Sequence, residues 1–180
     1  MALVPEFPDT VINNIVGGNR IVAGFENILR PGLPTAIADG SLPGAFPTTA
    51  DFGVQSISVG TPSITLSGLN TILLPLAGVY RVCFSLQLEQ GAGNHTVAVW
   101  LVLNGTEISN TASYIYMQSN SQTIATVEFY ISATAPNDAL QMYLLSDGAN
   151  SSLITVPSAS GTGFTAPISP AIVCDVEWIA

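Results

Sequence analysis

The chain has 180 residues, enough for one domain plus an arm, and only 8% of them are charged, against about 25% in an ordinary soluble domain. Its net charge of −9, with no lysine and with arginine only at Arg20, Arg30 and Arg81, speaks against nucleic acid or an anionic membrane as partner, since both are bound through cations. No apolar run approaches the ~18 residues of a membrane span, and the start Met-Ala-Leu-Val-Pro-Glu-Phe-Pro-Asp lacks the basic region and apolar core of a signal peptide.

Residues 1–52 read as an N-terminal arm. Pro5, Pro8, Pro31, Pro34, Pro43 and Pro47, with the pair Gly17-Gly18, break it into short pieces. Between the breaks Asn19 stands as N-cap, and Ile21, Val22, Phe25, Ile28 and Leu29 follow at helical spacing up to Pro31-Gly32. A helix of about ten residues is marginal alone and must dock. It docks either on its own domain or, as an anchor, on a neighbouring protein.

From residue 53 to 180 the chain reads as a β head, with strands at 53–59, 63–67, 71–75, 78–89, 95–103, 112–117, 122–133, 139–146, 152–156 and 171–179. The strongest is 78–89: Tyr80, Val82, Phe84, Leu86 and Leu88 recur with period two, while Arg81, Ser85 and Gln87 point the other way. The strand 95–103 ends in Asn104-Gly105, a pair suited to the positive φ angles of a tight hairpin. Strand 122–133 ends at the turn Ala135-Pro-Asn-Asp138, after which Leu140, Met142 and Leu144 start a new alternation. About ten short strands at regular spacing predict an all-β fold, an antiparallel two-sheet jelly-roll sandwich with an extended, partly helical N-terminal arm.

Little in the chain points to chemistry. Cys83 and Cys174 fall on opposite strand phases, which predicts two free thiols. With His95 as the one histidine, a zinc site of three or four protein ligands cannot be built. A Ser-His-Asp triad would need His95, yet no Gly-x-Ser-x-Gly elbow accompanies it. Asp175 and Glu177 share a strand face, and Asp147-Gly-Ala-Asn150 is a turn with too few carboxylates for a dedicated Ca²⁺ site. The expectation is no enzyme, no cofactor and no metal.

The order Gly78-x-Tyr80-x-x-x-Phe84, an apolar strand ending in Asn104-Gly105, the long strand 122–133, an Asp-bearing turn before Leu140-Gln-Met-Tyr-Leu, and the closing strand Ala171-Ile-Val-Cys-Asp-Val-Glu-Trp-Ile resembles the jelly-roll heads of the tumour necrosis factor and complement globular-head superfamily. The closing strand looks especially like that of the viral relatives. The resemblance implies a homotrimer, built through a sheet expected to hold strands 78–89, 139–146 and 171–179. Tyr80, Phe84, Tyr143 and Trp178 are then candidates for core or trimer-interface packing. It implies a virion structural protein, a trimeric decoration or cement protein of a phage or related capsid, assembled in the host cytoplasm. Its partners would be the major capsid protein or other virion proteins, with no nucleic acid and no membrane. The alternative is a receptor- or carbohydrate-binding head of a viral fibre or spike, acting through the loops 90–95, 104–112 and 146–151.

Overall fold

In the computed structural model, residues 35–41, 47–50, 62–68, 70–156, 159–161, 163–166 and 169–179 are described. The helix expected around Ile21, Val22, Phe25, Ile28 and Leu29, and the strand expected at 53–59, lie outside them.

The strands are β1 (Thr35–Ala36), β2 (Thr48–Thr49), β3 (Thr65–Ser67), β4 (Thr71–Leu74), β5 (Gly78–Gln90), β6 (His95–Leu103), β7 (Thr106–Glu107), β8 (Ser113–Met117), β9 (Ser121–Ala133), β10 (Asp138–Ser146), β11 (Ser151–Leu153), β12 (Ala159–Gly161), β13 (Phe164–Ala166) and β14 (Ile172–Trp178). All their pairings are antiparallel. In the first sheet β5 is central. β9 pairs along its whole length on one side; β14 and then β11 pair on the other, with β1 beyond β11. In the second sheet β10 lies between β6 on one side and β4 and β2 on the other, β3 flanks β4, and β7 and β8 flank β6. A small separate hairpin joins β12 to β13.

The alternation of β5 explains the core. Tyr80, Val82, Phe84, Leu86 and Leu88 are all buried between the sheets, with Cys174 and Val176 of β14 beside them. They face Val97, Val99 and Leu101 of β6 and Leu140, Met142 and Leu144 of β10. The Tyr80 hydroxyl is not wasted in this apolar setting: it donates to the Leu76 carbonyl at 2.8 Å and accepts from the Leu76 amide at 3.2 Å. Asn104 (φ 50°) and Gly105 (φ 77°) form the expected two-residue turn, between β6 and the short β7.

Two features depart from the expected layout. The strand 139–146, realised as β10, pairs with β6 and β4 and so lies in the second sheet, away from β5 and β14. Within the segment read as an arm, β1 joins the first sheet and β2 the second, and Ile37 and Ala50 are buried in the core. β1 and β2 thus belong to the sandwich itself.

Candidate functional site

Tyr80 and Phe84 sit in the core, Phe84 against Phe129 with ring centroids 6.0 Å apart. Trp178 shares their side of the first sheet, opposite Tyr80 in the register, and is partly buried. Tyr143 stands elsewhere. It faces outward from the second sheet and stacks on Trp100, with centroids 5.9 Å apart and ring planes at 23°. The structure therefore gathers three of the four aromatic candidates and separates the fourth.

The outer face of the first sheet carries exposed apolar side chains beside an unpaired strand edge. β9 pairs with β5 by one edge, and among the described residues no strand pairs with the other. Its outward row includes Ile124, 69% exposed, and Tyr130, 63% exposed, and Val79 and Ile179 are exposed at the same end of the neighbouring strands. Its inward row is also incomplete: Ala125, Val127 and Phe129 are only partly buried, whereas the matching row of β5 is sealed. Charge here gathers around Arg81, with Glu89 apart from it, accepting from the Gln122 side-chain amide at 2.9 Å. Arg81 donates to the Glu128 carboxylate from Nη2 at 2.5 Å and from Nε at 2.9 Å, and lies 3.8 Å from Glu177. The hydrogen bond from Arg81 holds the Glu128 carboxyl below its usual range. Asp175 and Glu177 thus sit on this face, in register with Cys83 and Arg81.

Over the outer face of the second sheet runs a groove made of three adjoining hollows. The largest of the three, about 460 Å³, is lined by Ala98, Trp100, Tyr114 and Leu145, by Glu107 of β7 and by the loop residues Ile108 to Asn110. A second, about 330 Å³, adds Pro47 and Tyr143 and shares Trp100 and Glu107. A third, about 400 Å³, adds Thr96 and Asp147 and shares Ala98, Tyr114 and Leu145. Sequence reading did not single out Trp100 or Tyr114. Both phases of β6 are apolar, so the outward turn of Ala98, Trp100 and Val102 carried no signal.

The three loops expected to act together are split. β6 runs from His95 at one end of the sandwich to Asn104 at the other, roughly 30 Å away at strand rise, so 90–95 and 104–105 flank opposite ends. At the first end 90–95 does meet 146–151: Gly91 N–H donates to the Asn150 carbonyl at 2.9 Å. The His95 imidazole Nδ1 lies 3.2 Å from the Asp147 carboxylate, which also accepts from the Thr96 amide at 2.8 Å. Its ring rests on Gly148, where a Cβ would come within 2.1 Å of Nδ1. The described residues give His95 no hydroxyl partner, and hold no group of three or more His, Cys, Asp or Glu side chains placed for a metal.

No family model and no curated protein matches the chain. Among solved structures it is similar to a tumour necrosis factor, Eiger, from S. frugiperda, at 9% identity over 90% of this chain and 94% of that one, with a TM-score of 0.51. It is also similar to the globular domain of a zebrafish complement 1qA protein, at 8% identity over 91% of this chain and 98% of that one, with a TM-score of 0.48. The likeness to the first, over 90% of the chain, places it in the same jelly-roll fold.

Proposed function

We propose that this chain is a virion structural protein, a homotrimeric decoration or cement protein that stabilises a viral shell by contacts between subunits. One observation carries the reading: β9 presents a thirteen-residue edge with no described strand beside it, backed by the half-buried row Ala125, Val127 and Phe129 and faced by exposed Ile124 and Tyr130. A long edge with a single charge and no proline or lysine is a template for association unless another chain covers it. Three copies packed edge to face around an axis close that edge without leaving a new one.

The remaining features support the same reading. A surface poor in charge and free of lysine suits a protein that spends its life against other subunits. The viral assignment rests on the resemblance of the closing strand and on the arm, which supplies sequence for a contact with the shell. Binding of this kind is driven by apolar area removed from water, at roughly 25 cal/mol per Å². Repetition around a three-fold axis multiplies weak contacts by avidity.

Light scattering of the full chain tests the assembly, with a mass of three 18.7 kDa chains as the supporting result and a monomer as the result against it. Sedimentation with purified particles of the encoding virus tests the shell contact. The chain pellets with particles if it is a cement protein and stays in the supernatant if it is not.

A further inference from the structure

The groove over the second sheet has no part in that assembly, which uses the opposite face. We propose that it is a binding site for a neutral oligosaccharide. Its chemistry is that of an amphipathic ligand with flat C–H faces and many hydroxyls. The aromatic walls are Trp100, stacked on Tyr143, and Tyr114, which stands 74% exposed. Trp100 and Tyr114 line one hollow, so they form a shared aromatic patch rather than singly exposed rings. Hydrogen-bonding groups sit along the same groove: the Glu107 carboxylate, the Ser109 hydroxyl and the Asn110 amide. The three hollows share lining residues and run end to end, so they admit a short chain of sugar rings rather than one compact ligand.

Charge selects the class. Glu107 lies on one side of the groove and Asp147 at its far end, while the described cation Arg81 is on the other sheet, tied to Glu128. Among the described residues, phosphate, sulfate and sialic acid carboxylates would meet these two acidic groups, and the nearby His95 imidazole is already turned to Asp147. A peptide lying over the floor could not add there as a strand, because the backbone groups of β6 are already paired with β10 and β8. A proline-rich peptide, which reads aromatic surfaces without needing an edge, is the competing occupant.

The test uses the full chain on an array carrying neutral and anionic oligosaccharides, followed by calorimetric titration with the best neutral binder and with a proline-rich peptide. Neutral glycans are expected to bind, and Tyr114→Ala, at an exposed position that leaves the fold intact, weakens them roughly tenfold, about 1.4 kcal/mol. Glu107→Gln weakens them severalfold. Tyr130→Ala, on the opposite sheet, leaves the affinity per chain unchanged whatever it does to the oligomer, which separates this site from the assembly reading. Absence of any neutral binder, preference for anionic glycans, or Tyr114-dependent capture of the peptide instead each overturns the proposal.

Discussion

The Asn104 side-chain amide donates to the Asp138 carboxylate across 2.8 Å, tying the hairpin turn after β6 to the connection that carries the chain from the first sheet to the second. Asn104 works with both ends of its side chain, since its Oδ1 accepts from the Ala139 amide at 2.8 Å. Asp138, 5% exposed, also accepts from the amides of Thr134 at 2.7 Å and Ala135 at 3.1 Å. One carboxylate thus closes two turns.

That geometry sets an acid limit. The bond from Asn104, assisted by the two backbone amides, holds the Asp138 carboxyl below its ordinary value of 3.8. A carboxyl depressed in the folded state contributes stability that is present above the unfolded value and is lost as pH falls through the folded one. Asp138→Asn replaces one accepting oxygen by an N–H donor that faces either Asn104 or the Thr134 and Ala135 amides, and costs about 1–3 kcal/mol at neutral pH. Urea unfolding at pH 7 and pH 3 checks both parts: the variant is less stable at pH 7, and its deficit shrinks at pH 3. An equal deficit at both would show that the carboxylate charge is irrelevant.

Tyr80 gives a second measure of the core. Tyr80→Phe keeps the ring and removes the hydroxyl that both donates to and accepts from Leu76, leaving two backbone groups in the turn before β5 without their partner. The expected loss is about 1–2 kcal/mol. A shift of the urea midpoint with unchanged slope records it, and no shift would mean that water replaces the hydroxyl freely.

At the opposite end, Gly148→Ala places a Cβ 2.0 Å from His95 Cε1, a distance no packing tolerates. The imidazole is the movable partner, so it swings away from Asp147 and the 3.2 Å contact breaks. The His95 ring resonances shift in the NMR spectrum while stability falls by only about 1 kcal/mol, because the contact is exposed. In a His95→Ala chain both the contact and the clash are already absent, so adding Gly148→Ala is expected to cost nothing further. If it still destabilises that chain, the strain lies in the loop backbone.

How much of this was legible depended on range. The alternation of 78–89 sets both its strand and its buried face, and Asn104-Gly105 names its own turn. Asn110, Asn120, Asn137 and Asn150 likewise take positive φ at turns, as short polar side chains can. Contacts between distant residues left no such mark. Asn104 and Asp138 are 34 positions apart and His95 and Asp147 are 52 apart, and each pair looks like ordinary turn residues. The neighbour of 139–146 was misassigned for the same reason: Leu140, Met142 and Leu144 show that it has one buried face and not which sheet that face belongs to. Trp100 lay hidden in a strand whose two phases are equally apolar.

The assembly reading makes its own demand on the outer face of the first sheet. Ile124→Arg sets a long charged side chain where a neighbouring subunit would exclude water, at a cost of several kcal/mol to the interface. Being 69% exposed in the single chain, residue 124 tolerates the change without loss of fold. Light scattering is expected to show the variant as a monomer, with an unchanged circular dichroism spectrum. A variant that stays a trimer would place the subunit contact elsewhere.

The two thiols report on the same face independently of mass. Cys174 is buried beside Phe84, and burial pushes its thiol far above the usual range, so it stays unreactive while the chain is folded. Cys83 is half-buried on the outer face of the first sheet, in register with Glu128 and Asp175. Packing of a second subunit there would shield it. A thiol-specific reagent is therefore expected to label the native wild type slowly, to label Ile124→Arg rapidly at Cys83 alone, and to reach both cysteines only in denaturant. Equal labelling rates at Cys83 in wild type and variant would mean that this face is open in solution, and that the trimer, if light scattering finds one, is built through another surface.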